Sequence, residues 1–114
     1  MPTLNQQTDI ASAIAAIRAA ENLLTQQLHA TTDVLAAIKL THEYNNLDSY
    51  LSELLHAQNS ADDISFGNAT VYLKSQASGL QADEAAIKAI VGDVQTAATI
   101  VSYIAKAAAF IAKL

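Results

Sequence analysis

An all-α fold follows from three features of the 114-residue chain. Alanine is the commonest residue, at 24 positions; breakers are scarce, with three Gly and one Pro; and apolar residues recur at steps of three and four. Alanine is the best helix former and Gly and Pro the worst. So few turns are available that an all-β sandwich or barrel is excluded. The expected architecture is an antiparallel up-down four-helix bundle forming one domain over residues 1–114. Its helices fall at about 9–30, 33–58, 62–78 and 83–113, the last one long and very apolar.

The first stretch, about 9–30, starts at a Thr8 or Asp9 cap. Ile10, Ile14, Ile17, Leu24 and Leu28 form one face, widened by Ala13 and Ala20. The second, about 33–58, follows a Thr31/Thr32 cap and carries Ala37, Leu40, Tyr44, Leu47, Leu51 and Leu54 as its stripe. Leu35 and Ile38 make a flanking row, and the poor helix formers Asn45 and Asn46 predict a bend. Residues Asn59 to Asp63 read as a loop, with Ser60-x-x-Asp63 resembling a capping box.

The third stretch, about 62–78, is weakened by Ser65, Gly67, Asn68, Thr70 and Val71, yet Phe66, Ala69, Leu73, Ala77 and Leu80 supply a face. Gly79 reads as the residue just past the helix end, in the left-handed region. In the fourth, about 83–113, Ile87, Ile90, Val94, Ala97, Val101, Ile104, Ala108 and Ile111 alternate three and four throughout. Val91, Ala98, Ile100, Ala107, Phe110 and Leu114 broaden that surface. Asp83 and Glu84 at its start and Lys113 at its end suit the helix dipole. Unbroken, it is about 46 Å long and overhangs the bundle by about two turns, so either Gly92 kinks or splits it or its end packs on something else.

The charge balance narrows the function classes. Six basic and eleven acidic residues leave a net charge of −5, and Arg18, Lys39, Lys74, Lys88, Lys106 and Lys113 are scattered. A nucleic-acid partner is therefore not expected. The absence of Cys excludes disulfides, thiolate metal sites and a cysteine nucleophile. The N-terminal residues lack the basic and apolar regions of a signal peptide, which predicts a cytoplasmic protein or one exported by a leaderless route.

The surplus of apolar residues on the fourth helix has three readings: a core helix, a protein–protein surface, or a membrane contact. Val94 to Ala112 is long enough to span a bilayer, but Lys106 costs about 2.5–3.5 kcal/mol at the centre. Its six Val, Ile and Phe residues return roughly 0.3–0.6 each, so they barely offset it. Spanning is not expected.

Site chemistry is thin. Glu53-x-x-His56 has the spacing of a di-iron half-site but lacks a second such motif, so Glu53 and His56 read as a solvent-exposed pair and the weak metal candidates of a chain expected to bind none. His42, beside Leu35 and Ile38, is expected to be half-buried. Tyr44, Tyr50, Tyr72 and Tyr103 are packing residues or the lining of a ligand pocket. No nucleotide, hydrolase or metalloprotease motif occurs. The expectation is a non-enzymatic bundle, with no cofactor, that associates with itself or a protein partner through Val101, Ile104, Ala108, Phe110, Ile111 and Leu114. A secreted or membrane-active helical protein is the second reading, and a ligand or metal binder the third.

Overall fold

Residues 3–60 and 62–114 are described by a computed structural model and form five helices: α1 (Leu4–Ala30), α2 (Val34–Gln58), α3 (Asp63–Ser75), α4 (Ala77–Ile90) and α5 (Val94–Ala112). No strand occurs among the described residues. The first two residues of the N-terminal segment and Ala61 of the predicted loop lie outside them.

Each helix start differs from the sequence expectation for a local reason. α1 begins five residues early because Thr3 and Gln6 form a capping box, the Thr3 hydroxyl accepting from the Gln6 N–H (3.1 Å) and the Gln6 side chain from the Thr3 N–H (2.9 Å). Thr8 and Asp9 are therefore helical. α2 is capped by Asp33, whose carboxylate accepts from the Leu35 N–H at 3.2 Å, rather than by Thr31 or Thr32. α3 is capped by Asp62, which accepts from the Ser65 N–H at 2.8 Å and displaces the Ser60–Asp63 box. α2 runs through Asn45 and Asn46 as one helix, and the Asn46 amide finds a partner on another helix, described below.

Two predicted boundaries move further. α3 stops at Ser75, Gln76 alone separates it from α4, and Gly79 lies inside α4. No described residue has positive φ, so Gly79 is not a left-handed cap. Its role is steric: a Cβ there would sit 3.0 Å from the Tyr50 hydroxyl oxygen, so the missing side chain makes room for the ring of α2. Asp83 likewise does not start a helix; it sits in the middle of α4, only 5% exposed.

The long fourth stretch is split. α4 ends at Ile90 and α5 starts at Val94, with Val91 and Asp93 extended on either side of Gly92. The Asp93 carboxylate accepts from the Thr96 hydroxyl in the first turn of α5. The split removes the predicted overhang and resets the helical phase. The inward positions of α5 become Ala97, Ile100, Ile104, Ala107 and Ile111, while Val94, on the predicted stripe, is 82% exposed.

α1 packs along α2 and α5; α4 lies against α5 and α2; and α3 rests mainly on α2. Among the described residues neither α3 nor α4 approaches α1. The result is a rod of 47 × 21 × 21 Å, little longer than the roughly 40 Å of a 27-residue helix such as α1. Its axis is filled by fully buried side chains: Ile10, Ile17 and Leu24 of α1, Leu47 and Leu54 of α2, Leu73 of α3, Leu80 and Ile87 of α4, and Ile100, Ile104 and Ile111 of α5. Each contributes about 1.5–3 kcal/mol by leaving water.

Candidate functional site

The apolar surplus of α5 faces inward. Ile104 and Ile111, expected at an association surface, are 0% exposed. Val101, Ala108, Phe110 and Leu114 are half-buried against the same core, and the Lys113 ammonium covers the Phe110 ring at 5.1 Å. Beyond Val94, which is 82% exposed in its first turn, α5 shows small or polar side chains to solvent, among them Ala98, Ser102, Ala105, Lys106 and Ala109. Among the described residues α5 is the one helix long and apolar enough to cross a membrane, by length and composition.

Among the described residues the exposed large hydrophobics are Leu4 on α1, three on α2, Ile64, Val71 and Tyr72 on α3, and Val94 on α5. On α2, Val34, Leu35 and Ile38 are 71%, 67% and 60% exposed. They occupy one face at steps of one and three, while Leu40, Glu43, Leu47 and Leu54 turn inward. Ile38 is the shared wall of two concavities. One, of about 430 Å³, lies beside the α1–α2 turn at Thr32, Val34 and Thr41. The other, of about 460 Å³, lies between α2 and α4, walled by Ile38, Ala86, Ala89 and Ile90, with Lys39, His42 and Glu43 on the α2 side. His42 is exposed, not half-buried as expected, because the neighbouring Leu35 and Ile38 also face outward.

Two carboxyl pairs bridge α2 to its neighbours. Glu21 on α1 is 5% exposed and lies against the exposed Asp48 on α2. Glu43 on α2, also 5% exposed, lies against the buried Asp83 on α4, and the Asn46 amide donates to Asp83 Oδ1 at 3.2 Å. One oxygen of each glutamate, Oε2, is buried without a partner. Burial first, then the hydrogen bond and charge of the facing aspartate, push Glu21 up to about 7 and Glu43 to about 8. Arg18 is the one cation that opposes this at Glu21, and it is the weakest of the influences. Glu21 in turn raises Tyr44.

Glu53 and His56 do not converge. Glu53 is half-buried in a groove with Tyr50, Tyr72 and Gln76, of about 340 Å³, and His56 is exposed. No group of three or more His, Cys, Asp or Glu side chains able to hold a metal occurs among the described residues. Tyr50 and Tyr72 share a groove. The Tyr50 hydroxyl is buried without a hydrogen-bond partner, and burial, then Asp83 and Tyr72, push it up to about 12.

Sequence reasoning missed the outward row of α2 because Leu35 and Ile38 fit a helix flank as well as a surface. It missed the carboxyl pairs because their members lie 27 and 40 positions apart. A signal was present: Glu21 falls one position after Ala20 and three before Leu24, on the apolar face of its own helix.

The fold and these surfaces define an acidic, all-helical protein with an apolar ridge on one helix and buried carboxyls at two seams. No family model matches the chain, and no curated protein or solved structure is significantly similar to it.

Proposed function

We propose that the protein is a non-enzymatic helical bundle that acts by protein–protein association, through the outer face of the first half of α2 together with the α2–α4 groove. In this reading α3 and α4 act as one kinked arm of an antiparallel four-arm bundle. Their 13 and 14 residues together match the 27 of α1, and that arm lies opposite α1, with α2 and α5 between.

The observation that carries the reading is the adjacent exposure of Val34, Leu35 and Ile38. Contiguous apolar surface of this kind marks association sites. A second copy of the chain is the preferred occupant. Ile38 is a ridge and the Ala86/Ala89 floor beside it is a groove, and a ridge next to a groove on one face is self-complementary about a two-fold axis. Phe110 and Leu114, half-buried on α5, remain a minor part of the surface at most.

Native mass spectrometry over a dilution series tests this. The expected species is an integer multiple of 12.0 kDa that Ile38→Glu reduces to monomer. A wild-type monomer at every concentration contradicts self-association and leaves a different protein as the partner. A membrane-active form is the second reading, supported by the length and apolarity of α5. It requires Ile100, Ile104 and Ile111 to leave the core, and leakage of dye from liposomes is its test.

A further inference from the structure

The buried carboxyls are unlike anything the association reading requires. An ordinary bundle seam is apolar, or pairs a carboxylate with a cation. Here α2 meets both α1 and α4 through acid against acid. The four side chains come from three helices: Glu21 from α1, Asp48 and Glu43 from α2, Asp83 from α4. Three of the four are 5% exposed.

Two carboxylates cannot share a hydrogen bond while both are ionised, because neither then carries a donor. At the α2–α4 seam Glu43 and Asp83 are both 5% exposed and neither is paired with a cation among the described residues, so the pair holds one proton, as does the buried Glu21 against Asp48. Removing it leaves an uncompensated negative charge on a glutamate that is 5% exposed, beside the buried Asp83 in one pair and the exposed Asp48 in the other, and each glutamate already has one buried oxygen with no donor to receive it.

The surroundings do not relieve that charge. Around Glu21, α2 presents Asp48 and the phenol of Tyr44, and α1 itself presents Arg18 as the weakest influence. Around Glu43 and Asp83, α4 contributes Asp83, and α2 contributes Glu43, the neutral amide of Asn46 and the phenol of Tyr50. Lys39 and His42 line the open groove beside Glu43, but neither forms an ion pair with Glu43 or Asp83 among the described residues. α3 brings the neutral Tyr72 towards Tyr50.

We propose that the Glu21–Asp48 and Glu43–Asp83 pairs are proton-held latches that tie α2 to α1 and to α4. The bundle is closed in mild acid and loosens along both faces of α2 when base removes the shared protons. Burial raises both glutamates above their ordinary value of 4.5. Between that value and about 7 to 8 the folded state holds more protons than the unfolded chain, so stability falls as pH rises through this interval. Two capping aspartates work in the opposite sense at lower pH. Asp62, held down by Ser65, and Asp93, held down by Thr96, contribute above the ordinary Asp range and lose that contribution as pH falls through it. The optimum therefore lies in mild acid, near the ordinary Glu value.

The test is thermal unfolding of wild type and of the double variant Glu21→Gln/Glu43→Gln, stepped from about pH 5 to about pH 9. The amide still donates to the facing aspartate but cannot ionise. Wild type is expected to lose at least about 5 °C in Tm over this range, and the double variant to lose less than half as much. A wild-type Tm that holds or rises, or a double variant that falls in parallel, overturns the proposal. Carbon-13 NMR titration of the glutamate carboxyls in wild type reads the same claim without a variant. Two of the four glutamates (Glu21, Glu43, Glu53 and Glu84) are expected to titrate near neutrality or above. Four ordinary glutamate titrations overturn the proposal, whether or not the double variant folds.

Discussion

α5 and the first half of α2 use hydrophobic side chains in opposite ways. α5 is the most apolar helix of the chain, and its isoleucines at 100, 104 and 111 are wholly buried. Past Val94 in its first turn, its exposed face is small or polar. α2 is mixed in composition, yet Val34, Leu35 and Ile38 stand in solvent while Glu43 on the same helix is buried. Composition measures how much apolar surface a helix carries, and the phase of the helix against its neighbours decides where that surface goes. For α5, three neighbours are available to cover it, in α1, α4 and α3. The outer face of α2 has none.

The comparison breaks most visibly in the core of α5. Ile104→Ala removes a fully buried side chain and is expected to lower the free energy of unfolding by about 2–5 kcal/mol, as read by urea denaturation. Ile38→Ala is expected to stay within about 0.5 kcal/mol of wild type. Similar losses at the two positions would erase the distinction between them.

The buried side of α2 sharpens it next. Glu43→Gln is expected to stabilise the protein by roughly 1–3 kcal/mol at mildly alkaline pH and by much less in mild acid. Denaturant midpoints at the two pH values give the difference, and equal effects at both would mean that charge is not what the seam resists.

Smaller effects separate two glycines that look alike in sequence. Gly67, inside α3, has open space where a Cβ would go, whereas the Cβ of Gly79 would crowd Tyr50. Gly67→Ala is therefore expected to stabilise by about 0.5–1 kcal/mol. Gly79→Ala should bring no such gain, since the contact with the ring offsets the helix propensity. A Tm rise at both positions would show that Tyr50 gives way freely.

Most of the inward face was legible in the sequence. Ile10, Ile17, Leu24, Leu47, Leu54, Leu73, Ile87, Ile104 and Ile111 lie on the periodic stripes and are all buried, because a 3.6-residue period fixes which side chains share a helix face. The split at Gly92 was one of two outcomes legible from a helix too long for its neighbours, the other being an end packed on something else. Boundaries were less so. Thr3 with Gln6, Asp33 and Asp62 competed with equally good caps one to six residues away, and only the folded geometry chooses among them. The break at Gln76 was not legible, since Gly79 is the stronger breaker by propensity and its real role depends on Tyr50. The carboxyl pairs and the α2–α4 groove were invisible for a related reason: each is made by residues from different helices, and local periodicity carries no information on which helices meet.

Sedimentation analysis of Ile38→Glu and Phe110→Asp side by side tests the division of labour between α2 and α5 most directly. Ile38→Glu is expected to lower the assembled mass to 12.0 kDa with Tm unchanged, and Phe110→Asp to lower Tm while the assembly of the folded fraction persists. Dissociation by Phe110→Asp at undiminished Tm, with Ile38→Glu still assembled, would return the association surface to α5 and contradict the account.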